Sequence, residues 1–245
     1  LIRTFDAGAD KMLKEQENLY ERNALLGWRG IRYCLDRPEI FKPQLRALLR
    51  AGCTGNLHIL LPMISCKKEI IAVRNLIQEI EQECERKQIP YKKNIPVGIM
   101  IEVPSAAIAA DLYAPAVDFF SIGTNDLIQY TMSVDRGNVK IAGLYSPFSP
   151  AVLRSINRII TEGKKAGIMV GMCGEAAADP LLIPVLLAWG MDEFSMSASS
   201  ILKSRQIISG CDSKDLKAKV DKVLEMSTES EIKEYLKKLT EELGC

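Results

Sequence analysis

The chain has 245 residues, 47% of them hydrophobic, and its 32 Lys and Arg against 31 Asp and Glu leave a net charge of +1. That balance excludes a global basic field for nucleic acid and an acidic tail, so each arginine has to be read by its position. No apolar run approaches the roughly 20 residues that span a bilayer. Seven scattered cysteines with one histidine and no Cys-x-x-Cys pair exclude a familiar zinc cluster, and they read as reduced thiols of a cytoplasmic protein.

Residues 1–5 look like the end of an apolar strand, and with no Met in front the chain is expected to begin inside a domain. Continuous apolar, β-branched runs then recur at 57–64, 97–103, 117–122, 168–173 and 193–197. Unbroken rather than alternating hydrophobicity predicts strands buried on both faces, as in parallel sheets. Between them, 67–87 carries an apolar stripe (Ile70, Val73, Leu76, Ile77, Ile80, Cys84) and predicts a helix. Ser149-Pro150 opens a second, running to Lys165 with Gly167 as its stop, and Asp179-Pro180 opens a third that ends at Gly190. Two more amphipathic stretches, 214–224 and 229–243, come after Asp212.

Repeated strand–helix alternation means βαβ units, and no Gly-rich dinucleotide fingerprint follows any strand. The expected fold is therefore α/β, a (β/α)8 TIM-type barrel over residues 1–245, with 212–245 as a helical tail packed outside. Five full strands and the stub leave the barrel incomplete at its N-terminal end, because eight strands are needed to close it.

Functional residues of such a barrel sit where strands end. Here the strand ends carry Arg3, Glu102, Asn125 with Asp126, and Cys173. Glu102 closes an all-apolar run, which is costly unless the carboxylate is paired with an arginine or bound to a metal. Asp126 in Gly123-Thr124-Asn125-Asp126 is a helix cap or a ligand. Two such carboxylates with substrate oxygens match the habits of Mg²⁺. Arg3, Arg29 and Arg136 offer the N–H forks that grip an anion, with Arg32 as a support for Arg29. Cys173 lies between Met172 and Gly174, either as an inert buried thiol or at a close approach of another group. His58, inside an apolar strand, reads as structural.

These residues stand in segments that resemble one family. The segments are Arg3-Thr4-Phe5-Asp6, Gly27-Trp28-Arg29, Gly98 to Pro104, Phe120 to Thr131, Asp135 to Asn138, Gly171 to Glu175 and Asp192 to Ser197. Together they resemble the C-terminal phosphoenolpyruvate-binding barrel of enzyme I of the bacterial sugar phosphotransferase system, in order and over essentially the whole chain. Pyruvate phosphate dikinase and phosphoenolpyruvate synthase share parts of the pattern. Ile128-Gln129-Tyr130-Thr131 and the run from Asp192 to Ser197 favour enzyme I.

The resemblance implies that Glu102 and Asp126 bind Mg²⁺. It implies that Arg3, Arg29, Asn125, Asp126 and Arg136 bind phosphoenolpyruvate, and that Cys173 protonates the enolate to give pyruvate. It further implies a phospho-accepting histidine on a separate N-terminal domain, a phosphocarrier protein beyond it, and a homodimer without nucleic acid or membrane insertion. Two features depart from the family: Gly8-Ala9-Asp10-Lys11 stands for Gly-Gly-Asp-Lys, and Asn23-Ala24 for Asn-Pro. Nothing here matches the histidine domain or the barrel strand that carries another phosphate-binding arginine. The alternatives are a dikinase or synthase relative, a Mg²⁺-dependent C–C lyase on the same barrel, and a non-catalytic dimerisation fragment.

Overall fold

The computed structural model describes residues 1–6, 23–211 and 213–243. The Gly8–Lys11 departure, Asp212 and Cys245 lie outside them. Two compact units are found: residues 1–100 with 115–119, and residues 101–114 with 120–245.

The first unit opens with β1 (Ile2–Arg3), followed by α1 (Ile31–Asp36) and α2 (Pro38–Ala51), neither of which the sequence signals clearly. Then come β2 (Ile59–Leu61), α3 (Lys67–Arg86) and β3 (Val97–Ile101). The strands take chain order and pair in parallel, Ile2 opposite Ile59 and Ile59 opposite Val97. All three residues of β2 are buried, as a strand covered on both faces requires. Helix α3 buries Ile70, Val73, Ile77, Ile80 and Cys84, the stripe read from its sequence. Its start is tied by Glu69, whose carboxylate accepts from the N–H groups of Ser65 (2.7 Å) and Cys66 (2.9 Å). His58 leans its ring on Phe119 with centroids 5.7 Å apart, the structural part expected of it.

One fastening in this unit sets where the next strand starts. Asp118 stands at the head of β4 (Phe119–Gly123). Its N–H donates to Val97 O (3.0 Å), and its Oδ2 accepts from Val97 N and from Arg74 Nη2 on α3, each at 2.8 Å. Gly98 is forced by contact, because a Cβ there would lie 2.4 Å from the Phe119 ring.

The second unit holds α4 (Pro104–Ile108), α5 (Ala110–Tyr113), the remainder of β4, α6 (Thr124–Met132), α7 (Pro150–Lys165), β5 (Met169–Cys173), α8 (Leu182–Trp189) and β6 (Glu193–Ser195). After them run α9 (Ala198–Gly210), α10 (Ser213–Val220) and α11 (Glu229–Leu243). Strand order again keeps to the chain, and β5 pairs with β6 in parallel, Cys173 opposite Ser195. The expected start of α7 at Ser149-Pro150 is found, and it buries Val152, Leu153, Ile156, Ile159 and Ile160. Gly190, at φ +95°, ends α8 as expected.

The fastening recurs in this unit. Asp192 heads β6, its N–H donates to Val170 O (2.9 Å), and its Oδ2 accepts from Val170 N (2.8 Å). Lys164 on α7 pairs with the other carboxylate oxygen. The tail buries Ile232, Leu236 and Leu239, and it is tied to α8 by Trp189 Nε1 donating to Asp221 Oδ1 at 3.0 Å.

The fold class is the expected α/β. Six strands are described where a closed (β/α)8 barrel carries eight. Boundaries moved inward: the run 57–64 yields three paired residues and 193–197 also three, because apolarity extends past the last ladder bond.

Candidate functional site

The second unit gathers most of the chemistry. Glu102 comes directly after β3 and is 2% exposed, while Asp126 is 8% exposed in the first turn of α6. The N-cap of α6 is Gly123, so Asp126 is not the capping residue, although the helix N-terminus still favours its negative charge. Two buried carboxylates at strand ends are hard oxygen donors of the kind Mg²⁺ takes, and Glu102 with Asp126 is the pair that could hold it. Among the described residues no group of three His, Cys, Asp or Glu forms a metal cluster, so such an ion would depend on substrate oxygens or water for the rest of its shell.

Asn125 and Cys173 face one cavity of about 390 Å³, whose rim includes Ser195 and Ser197. The carbonyl of Cys173 accepts from Thr124 Oγ1 at 3.0 Å, and the Ser121 hydroxyl, 4% exposed, donates to the Cys173 sulfur at 3.8 Å. Gly174, at φ +106°, completes this joint. A Cβ there would sit 2.3 Å from Thr124 Oγ1 and 3.1 Å from Asn125 Oδ1, so both space and backbone demand glycine. Cys173 is not the buried thiol of one expectation: it is half-exposed on a cavity.

Asn125 also lines a second cavity of about 440 Å³, shared with Tyr145, Glu175 and residues of α11. The Tyr145 hydroxyl donates to Asn125 O at 3.2 Å. Burial raises the pKa of this phenol, the Glu175 and Asp126 carboxylates add to the rise, and the nearby Arg136 charge opposes it. Arg136 itself is exposed, and its N–H donates to Gln129 Oε1 at 3.2 Å.

In the first unit, Arg29 is 9% exposed and grips Asp6 with both arms, Nε to Oδ1 at 3.0 Å and Nη2 to Oδ2 at 2.8 Å. Arg3 is half-exposed, with Nη1 3.9 Å from the same carboxylate. Arg32, expected as a support for Arg29, donates to the carbonyls of Leu26 and Gly27 in the turn before it. Cys34, buried beside Phe5 O, has its thiol pushed up to about 12 by burial and then by Asp6.

Sequence reasoning brought out Asn125, Asp126 and Cys173 but missed Ser121, Thr124 and Tyr145. Thr124 and Ser121 lay inside the quoted motif, where their neighbours drew the attention. Tyr145 carries no local signal, since its partner is 20 residues away.

The chain has clear relatives among known proteins. The family described as PEP-utilising enzyme, PEP-binding domain, matches residues 1–213. Phosphoenolpyruvate-protein phosphotransferase of Priestia megaterium is 46% identical over 237 residues, covering 97% of this chain and 41% of that protein. The protein of that name from Staphylococcus carnosus is 44% identical over 240 residues (98% and 42%), and that of Bacillus subtilis 46% over 237 (97% and 42%). The chain spans about two fifths of the length of these relatives. Among solved structures, a citrate lyase from Burkholderia xenovorans shares the fold at a TM-score of 0.50 and 15% identity, over 83% of this chain and 69% of that one.

Proposed function

This chain belongs to the PEP-utilising enzymes as their PEP-binding domain, and we propose that it binds phosphoenolpyruvate with Mg²⁺ and turns the enolate left by phosphoryl transfer into pyruvate. The observation that carries the reading is one cavity lined by both Asn125 and Cys173, in the unit that holds the buried Glu102 and Asp126. The relatives' name supports a protein as phosphoryl acceptor. The proposed acceptor is a histidine on a separate N-terminal domain of the same protein, from which a phosphocarrier protein takes the group as the first step of sugar uptake.

Glu102 and Asp126 are the proposed holders of the metal, which when bound would spread the charge of the phosphoryl and enolate oxygens. Asn125 offers an amide N–H₂ to the substrate, and Arg136 supplies a guanidinium fork near by. Arg3 and Arg29 enter the proposal as phosphate ligands through the family resemblance. In the structure Arg29 already commits two donors to Asp6.

The phosphoryl group leaves the enol oxygen for the histidine nitrogen, and the remaining electron pair makes an enolate. Cys173 then gives its S–H proton to the methylene carbon, forming the C–H bond of pyruvate and leaving a thiolate that solvent re-protonates. The Ser121 hydroxyl, already hydrogen-bonded to the sulfur, steadies that thiolate. A homodimer and a cytoplasmic location complete the proposal.

The test is calorimetric titration of phosphoenolpyruvate with and without Mg²⁺ on the parent and on Asp126→Asn. Parent binding should tighten with Mg²⁺, and the variant should lose that gain while its circular dichroism stays unchanged. A Mg²⁺ gain that survives in Asp126→Asn would remove Asp126 as a metal ligand.

A further inference from the structure

Asn125 can serve an anion only if its amide turns the N–H₂ end outward and the oxygen inward. One contact bears on that oxygen. The Tyr145 hydroxyl lies 3.5 Å from Asn125 Oδ1 and 3.2 Å from the Asn125 carbonyl. With Oδ1 accepting from Tyr145, the Nδ2 protons are the end of the amide left to offer to an anion, and Asn125 lines the cavity shared with Cys173.

Tyr145 is itself held from outside the segment that the family matches. Ser146 and Phe148, both buried, come next in the chain. The Ser146 hydroxyl donates to the Glu229 carboxylate at the start of α11, and the Lys233 ammonium stands 5.1 Å from the Phe148 ring centre. Glu229 and Lys233 pair at 2.5 Å, so one turn of α11 closes over this loop. The family match ends at residue 213, before α11 begins.

We propose that Tyr145 is a positioning residue for substrate binding, which fixes the Asn125 amide with its donors toward the anion, and that α11 holds Tyr145 in place through Ser146 and Phe148. This rests on the assignment of Asn125 to phosphoenolpyruvate made above. The hydroxyl stays protonated as a donor across the physiological range, because burial keeps its pKa above that of a free phenol. Losing one neutral hydrogen bond of this kind corresponds to roughly a 3- to 10-fold change in affinity.

The experiment is a double-mutant cycle on the intact protein, reading the affinity for phosphoenolpyruvate with Mg²⁺ by calorimetry. Tyr145→Phe should weaken binding about 3- to 10-fold in the parent and cost nothing further in Asn125→Ala. A cost of equal size in both backgrounds, or none in either, overturns the inference while leaving the functional reading intact. Asn125→Ala binding as tightly as the parent would instead remove Asn125 from the site, and the inference falls with it. Glu229→Ala should lose about 2- to 3-fold, again only when Asn125 is present, and an unchanged affinity overturns the part given to α11.

Discussion

Two stretches of this chain are framed alike and finished differently. Val97-Gly98-Ile99-Met100 is answered by Val170-Gly171-Met172-Cys173, and Asp118-Phe119-Phe120-Ser121 by Asp192-Glu193-Phe194-Ser195. In both, the aspartate heading the later strand exchanges hydrogen bonds with the valine of the earlier one, and it pairs with a cation on the helix that precedes that valine. Past the frame, the likeness stops. The first stretch leads to Glu102 and to Asn125 with Asp126, while the second leads to Cys173 and a serine-lined rim. The frame is what folding needs, and the residues at and just beyond each strand end are where the two stretches differ.

The comparison is broken most forcefully at a strand end. On the role proposed for it, Cys173→Ala in the full-length protein should lower turnover by about 10²- to 10⁴-fold while leaving phosphoenolpyruvate affinity nearly untouched, because a thiol adds little to anion binding. Steady-state pyruvate release together with titration checks this; equal losses in both would make Cys173 a packing residue. Within the frame, the two glycines should separate. Gly98→Ala drives a methyl to 2.4 Å from the Phe119 ring and should cost about 1–3 kcal/mol by denaturant melting, whereas Gly171→Ala meets Glu193 Cβ at 3.2 Å and should cost less. Equal costs would mean that β4 yields more easily than its burial suggests.

Smaller and matched effects are expected at the two aspartates. Asp118→Ala and Asp192→Ala each strip a strand N–H of its acceptor and should each destabilise by about 1 kcal/mol. Their ion pairs are part-exposed and add little. A clear inequality between the two would show that the frames are alike in geometry only. The smallest effect belongs to Cys34, the buried thiol of α1 beside Phe5 O. Its pKa is raised in the fold from 9.0 to about 12, so its stabilising contribution is complete below pH 9 and is lost as pH climbs toward 12. Melting between pH 6 and 8 should therefore be the same for Cys34→Ser and the parent in its pH slope, and at pH 8 alkylation should spare Cys34 and mark Cys173.

Much of the fold was legible because the signals were local. Unbroken apolar runs give away β2 to β5, since strands covered on both faces have no polar side to show. The stripe from Ile70 to Cys84 and the Ser149-Pro150 start announce α3 and α7 in the same way. What stayed hidden depends on partners distant in sequence. The pairing of Arg29 with Asp6, 23 residues back, is one such case. Tyr145 is one tyrosine among seven until the fold sets it on Asn125. The repeated frame is hard to see in sequence because only a few residues in each copy are shared, and their meaning is a backbone contact rather than a pattern of hydrophobicity.

Gly174 has a mechanical consequence. With no side chain there, Thr124 and Asn125 sit hard against the backbone that carries Cys173, and Thr124 is bonded to its carbonyl. The segments that carry the Asn125 amide and the Cys173 thiol are thus held close, with no side chain at Gly174 to part them. On the proposed function, a molecule held by Asn125 lies in the same cavity as the Cys173 sulfur, which shortens the search for alignment before the proton is delivered.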